Sequence, residues 1–186
     1  MTKLQAVFLD RDGVLNRYLP NAYVEKPSQI ELIPGAAEAV LKLNMAGVAV
    51  IVVSNQQGVG KGVMTLEELN LVEAALRSKL TAESGAMLTR TYYCPHVHED
   101  HCECRKPKPG MLLKAMRDYD LAPSRTALIG DSPGDLQAAG AAGVSRKVLV
   151  LSGTTNRYHS GNLAVEPDAV FASIEPAIDW LLEETE

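Results

Sequence analysis

Two carboxylates separated by one residue, in Asp10-Arg11-Asp12-Gly13, follow the apolar run Leu4 to Leu9. In an extended segment, residues i and i+2 face the same way, so Asp10 and Asp12 can reach one pocket. Gly13 permits a sharp departure of the chain. Such a pair can divide the work of a displacement, one carboxylate attacking while the other moves a proton. The same four residues also suit an ordinary turn. Ser54-Asn55-Gln56 follows the apolar run Val48 to Val53. A small hydroxyl there can bond an anionic oxygen, or serve as a loop or cap. Arg105-Lys106-Pro107-Lys108-Pro109 precedes a helix-like segment. A fixed ammonium can neutralise a phosphoryl group and a neighbouring carboxylate; alone, the run reads first as a solvated basic stretch. Gly130-Asp131-Ser132-Pro133-Gly134-Asp135 closes the series. Asp131 could complete a hard-cation site with Asp10, of the kind Mg²⁺ fills with few carboxylates, waters and substrate phosphate. Asp131 or Ser132 also suits a helix N-cap, and Asp135 the helix dipole. The run Gly58-Val59-Gly60-Lys61-Gly62 looks like a phosphate cradle but lacks the GxxxxGK[ST] spacing of a nucleotide loop. Lys61 is therefore expected to touch a substrate phosphate instead.

All three cysteines, Cys94, Cys102 and Cys104, lie in one stretch with His96, His98 and His101. The pattern C-x-H-x₅-C-x-C supplies three thiolates and an imidazole, a complete tetrahedral set for structural Zn²⁺. His98 and His101 stand as alternatives to His96. An odd cysteine count in a chain without a signal-peptide pattern argues against a disulfide framework.

The elements that must hold these groups read clearly. Apolar runs at Leu4–Leu9, Val48–Val53, Met87–Tyr93, Thr126–Ile129 and Lys147–Leu151 are expected strands, with a short edge strand at Asp168–Phe171. Helical segments alternate with them: Pro34 to Ala46, Thr65 to Glu83 with Thr65 and Glu68 as a capping box, Gly110 to Tyr119, Leu136 to Ala142, and Ile174 to Glu184. That alternation predicts an α/β fold, a doubly wound parallel sheet covered on both faces, with ligands beyond the carboxyl ends of its strands. Each polar cluster falls at such an end. The 186 residues fit a single domain over 1–186, with a flap at about 16–32 and a metal loop at 94–104. Eighteen basic and 23 acidic residues give a net charge of −5, which leaves no nucleic-acid footprint. The apolar runs are too short to cross a bilayer. A cytoplasmic monomer is expected, with no membrane partner.

Taken in order, the four clusters resemble the four motifs of the haloacid dehalogenase superfamily, over Leu4 to about Leu151. The Asp at position 12 is similar to the phosphatase and phosphomutase branch. The metal loop, with DRDG, SNQxG and CRKPxPGM, resembles the D-glycero-D-manno-heptose-1,7-bisphosphate 7-phosphatase group, close kin of the histidinol-phosphate phosphatases. The resemblance implies a Rossmann-like sheet without a large cap domain. It also implies an enzyme, a Mg²⁺-dependent phosphoric monoester hydrolase in the synthesis of a surface-polysaccharide precursor. Asp10 would be the nucleophile and Asp12 the acid and base, its main-chain carbonyl also binding Mg²⁺ with Asp10 and Asp131. Ser54, Asn55 and Lys106 would hold the phosphate, Arg105 and Lys61 the rest of the substrate, and Asp135 would support. Cys94, His96, Cys102 and Cys104 would bind zinc. Asn16 and Tyr23-Val24 match recurrent flap positions, whereas Lys61 stands where many members carry arginine. A histidinol-phosphate phosphatase, another small sugar-phosphate phosphatase, and a zinc-stabilised binding module without chemistry remain the competing readings.

Overall fold

The computed structural model describes residues 3–184. Six strands form one parallel sheet: β1 (Ala6–Leu9), β2 (Ala49–Asn55), β3 (Arg90–Cys94), β4 (Thr126–Gly130), β5 (Arg146–Val150) and β6 (Ala169–Phe171). Their spatial order is β3-β2-β1-β4-β5-β6. Five helices cover the sheet: α1 (Ala36–Met45), α2 (Leu66–Ser84), α3 (Gly110–Asp118), α4 (Pro133–Ala142) and α5 (Ile174–Glu183).

The central strands are buried on both faces, as a parallel sheet clad by helices requires. Val7 and Leu9 of β1 pack with Val50 and Val52 of β2 against α1, α2 and α5. Ala6 and Phe8, one residue out of step, pack with Ile51 and Val53 against α3 and α4. The alternation therefore assigns each side chain to one of two cores. Thr65 caps α2: its hydroxyl accepts from the Glu68 N–H at 3.1 Å, and its own N–H donates to the Glu68 carboxylate at 2.7 Å.

The observed bounds shift by a few residues from those read in the sequence. Pairing in β3 starts at Arg90 and not at Met87, because Asn44 bonds both polar groups of the Met87 backbone. Helix α1 starts after Pro34, with Gly35 at φ 80° as its cap. In α4 the structure adds Pro133 to Asp135 as the first turn.

The chain runs from β1 to its neighbour on one side and later returns, at β4, to the other side. The carboxyl ends of β1 and β4 thus flank the point where strand order reverses, where open α/β sheets form a crevice. The Asp10 N–H donates to the Ile129 carbonyl at 3.1 Å, bringing both loops to one spot.

Leu76 is fully buried between α2 and the sheet. Leu76→Ala should lower the unfolding free energy by about 2–5 kcal/mol, read from urea denaturation.

Candidate active site

A cavity of about 630 Å³ opens over the carboxyl ends of β1, β2 and β4. Asp10, Asp12, Ser54, Asn55, Lys61, Arg105, Lys106 and Asp131 all line it. The four clusters, distant in the chain, thus converge on one space.

Lys106 lies at its floor, almost fully buried. Its ammonium is 3.1 Å from Asp10 Oδ1 and 2.5 Å from Asp135 Oδ1, and it donates to the Val53 carbonyl at 2.7 Å. Burial works against this charge, but the Coulomb attraction of Asp10 and Asp135 more than offsets it and holds Lys106 above the ordinary lysine range. Asn55 fixes the residue from outside. Its amide oxygen accepts from the Lys106 N–H and its amide nitrogen donates to the Lys106 carbonyl, both at 3.0 Å. Asn55 therefore both lines the cavity and sets the height of the lysine.

Asp10 is pushed up from the ordinary 3.8 to about 7. Burial is the chief cause; Lys106 opposes it, and the nearby Asp135 and Asp131 add to it. Asp131 rises to about 6 through burial and Asp135, against the bonds it accepts from Thr154. Carboxylate oxygens of Asp10, Asp131 and Asp135 lie within 4.8 Å of one another. Asp135 is already engaged: its Oδ1 is ion-paired with Lys106, and its Oδ2 accepts from the Ser132 N–H at 3.1 Å and from the Ser132 hydroxyl at 2.6 Å. Asp10 and Asp131 are thus the pair left to hold a small hard cation, and the donor chemistry fits Mg²⁺. Space around Asp131 is made by two glycines. A Cβ on Gly13, at φ 85°, or on Gly153 would collide with its carboxylate.

Asp12 is held by donors alone. Arg11 Nη2 reaches Asp12 Oδ2 at 2.9 Å, and the amides of Gln56 and Asn16 donate to it, each at 2.9 Å. The Ser54 hydroxyl faces Asp10 and also accepts from Gln56 at 3.2 Å.

The flap is pinned at its root by bridges from Asn16 to Asp12 and to Leu32, and by the Arg17 N–H donating to the Glu31 carbonyl at 2.8 Å. Its tip supplies Tyr18, Leu19, Asn21 and Tyr23 to the cavity wall. The glycine run beyond β2 is not a phosphate cradle. The N–H groups of Gly60, Lys61 and Gly62 donate to the carbonyls of Pro95, Gln57 and Val59. Lys61 stands exposed on the rim, 5.8 Å from the Tyr23 ring centre.

Cys94, His96, Cys102 and Cys104 form a second cluster. Their sulfurs stand 3.3–3.6 Å apart, and His96 Nδ1 is 3.2 Å from Cys104 Sγ. Ligands about 2.3 Å from a tetrahedral zinc would stand about 3.8 Å apart, so four soft donors at this spacing fit Zn²⁺. His98 and His101 lie outside the cluster, rings facing edge to face at 6.2 Å. The loop reaches the cavity through Arg105, which donates to the His96 carbonyl at 3.3 Å and to Gln57 Oε1 at 3.1 Å.

Sequence reasoning missed Arg11, Gln56 and the segment Ser152-Gly153-Thr154. The Ser152 hydroxyl donates to the Gly13 carbonyl at 2.7 Å, and the Thr154 N–H donates to Asp131 Oδ2. A signal was present, for this segment follows β5 as the other clusters follow their strands.

The family of HAD-like hydrolases matches residues 103–177. The chain is 40% identical, over 83% of its length and 86% of the relative's, to the D-glycero-beta-D-manno-heptose-1,7-bisphosphate 7-phosphatase of Pseudomonas putida. It is 34% identical to the D-glycero-D-manno-heptose-1,7-bisphosphate 7-phosphatase of Thermosynechococcus vestitus, over 95% of this chain and 94% of that one. Among solved structures, the D,D-heptose 1,7-bisphosphate phosphatase of B. bronchiseptica, complexed with magnesium and phosphate, superposes with a TM-score of 0.89. It is 33% identical and covers 97% of this chain and 99% of its own.

Two predictions follow from the metal geometry. Asp10 and Asp131 keep their protons to about pH 7 and about pH 6 in the folded, metal-free chain and release them near 3.8 when unfolded. Their contribution to stability is complete below that lower value and fades as pH rises through 6 and 7. A divalent cation favours the ionised pair, so the rise in Tm on adding Mg²⁺ should grow between about pH 5 and about pH 8, read by differential scanning fluorimetry. Cys104→Ser should retain well under one zinc per chain by metal analysis and lower Tm by about 10 °C.

Proposed function

This chain belongs to the D-glycero-D-manno-heptose-1,7-bisphosphate 7-phosphatase family of HAD-like hydrolases, and on that premise we propose that it removes the 7-phosphate of a heptose 1,7-bisphosphate. One observation carries the reading. Asp10, Asp12, Ser54, Lys106 and Asp131 line a single cavity, with a buried ammonium between the carboxylates.

Phosphoryl transfer asks for positioning and charge neutralisation more than for covalent machinery. Lys106, Ser54 and the Asn55-fixed main chain hold the phosphoryl oxygens. Asp10 attacks phosphorus, the bond to the sugar oxygen breaks, and Asp12 gives that oxygen its proton. The product of this step is an aspartyl-phosphate on Asp10 and a free alcohol. Water then attacks phosphorus and gives its proton to Asp12, and the bond to Asp10 breaks with release of phosphate. Asp10, Asp131 and the Asp12 carbonyl would hold Mg²⁺, which supplies charge neutralisation for an anionic nucleophile meeting an anionic phosphate. Asp135 keeps Lys106 charged and aimed. The zinc set Cys94, His96, Cys102 and Cys104 orders the loop that ends in Arg105 and Lys106.

The wall of the cavity separates the two nearest substrates. Its carboxylates are Asp10, Asp12 and Asp131, all at strand ends, and its remaining charges are Lys61, Arg105 and Lys106. Histidinol phosphate would bring an ammonium to the cations Lys61 and Arg105, with no further acid in the lining to receive it. A second phosphate finds those cations favourable. Three unpaired cysteines suit a reducing cytoplasm. Among the described residues no helix is long and apolar enough to cross a membrane.

Phosphate release should be measured over heptose 1,7-bisphosphate, sugar monophosphates and histidinol phosphate, with and without Mg²⁺. The expected result is a Mg²⁺-dependent preference of more than tenfold in kcat/KM for the bisphosphate, about 1.4 kcal/mol. Asp10→Asn should lose a factor on the order of 10⁴ or more in kcat while staying folded. Equal rates on histidinol phosphate would overturn the substrate, and an undiminished Asp10→Asn enzyme would overturn the mechanism.

A further inference from the structure

We propose that Arg11 and Gln56 are positioning residues that aim the Asp12 carboxylate at the leaving-group oxygen. The proposal rests on the reading of Asp12 as the proton donor.

Arg11 is fully buried although its neighbours Asp10 and Asp12 open into the cavity. A buried guanidinium is costly unless paired with good geometry. Among the described residues its ion pair is with Asp12, whose side chain is 25% exposed to the cavity. The pairing is a fork. Nε reaches Asp12 Oδ2 at 3.2 Å, and Nη2 reaches Oδ2 at 2.9 Å and Oδ1 at 3.2 Å. A guanidinium gripping both oxygens fixes the plane of a carboxylate, which one point charge does not do. A pair that served only the core would place its acid in the core as well; this one presents its acid to the substrate space.

Gln56 completes the grip. It is buried, its Oε1 accepts from Arg11 Nη2 at 3.1 Å, and its Nε2 donates to Asp12 Oδ2 at 2.9 Å. The same Nε2 lies 3.2 Å from the Ser54 hydroxyl. One amide therefore ties the proton-moving arm to the phosphate-holding arm. Asn16 closes the far side on Oδ1. Beneath the fork the Tyr93 ring lies 5.7 Å from the guanidinium carbon. The Tyr93 hydroxyl donates to Glu73, which Arg77 and Thr91 also hold. The aim of Asp12 thus rests on β3 and α2.

Proton delivery matters when the leaving group is a sugar alkoxide and matters little when it is a stable phenolate. The test compares kcat/KM for heptose 1,7-bisphosphate with that for an aryl phosphate in the Mg²⁺-loaded enzyme. This quantity reports steps up to formation of the aspartyl-phosphate. Gln56→Met and Arg11→Lys should lower the sugar-to-aryl ratio by about 10- to 100-fold, and Asp12→Asn should lower it further. A loss of folding or of phosphate grip depresses both substrates and leaves the ratio alone. If Arg11→Lys does not fold, Gln56→Met, similar in size and uncharged, decides. An unchanged ratio in the folded positioning variants, with a lowered ratio in Asp12→Asn, overturns this inference alone. An unchanged ratio in Asp12→Asn overturns the reading of Asp12 beneath it.

Discussion

A single buried ammonium is what lets three acidic side chains share the floor of this cavity. Carboxylate oxygens of Asp10, Asp131 and Asp135 lie within 4.8 Å of one another, and burial with mutual repulsion pushes Asp10 and Asp131 toward their protonated forms. Lys106 stands in ion-pair contact with two of them and donates to the Val53 carbonyl. Two ion pairs and one hydrogen bond approach the ammonium from different sides, so its position is fixed as well as its charge. Asn55 holds Lys106 in place from outside the floor, while Asp12 is held separately by Arg11, Gln56 and Asn16.

The sequence was most legible where physics acts on short stretches. Alternation of apolar runs and helical segments predicted the sheet, and the rule that ligands gather at strand ends predicted where Asp10, Ser54 and Asp131 meet. The thiol and imidazole spacing predicted which four side chains would cluster, leaving only the choice among three histidines, and packing resolved it to His96. What stayed hidden depended on long-range placement. Nothing local to Arg11 shows that its fork turns back on Asp12, since strand alternation alone points it away. Gln56 has no local signal for its role, because its partners Arg11 and Asp12 lie on the loop after another strand. The Gly153-Thr154 contact with Asp131 exists because β5 lies beside β4, which no local pattern reveals.

The cysteine and histidine loop and the floor of the cavity are joined by main-chain and side-chain bonds of modest number. The Gln56 N–H donates to the Cys94 carbonyl at 2.7 Å, the Gly60 N–H to the Pro95 carbonyl at 2.9 Å, and Arg105 spans from His96 to Gln57. The loop has few apolar side chains of its own to bury. A metal held there would therefore do more than add local stability: it would set the starting point of the segment that carries Arg105 and Lys106.

The scattered origin of the floor has a consequence for when the cavity can form during synthesis. Asp10 leaves the ribosome early, while Lys106 and Asp131 emerge roughly a hundred residues later, and β4 must slot between β1 and β5 before they meet. Contacts between such remote segments form late and at high cost in chain entropy. Partial products that end before β4 therefore cannot assemble this cavity floor, because Asp131 and its neighbours are not yet present.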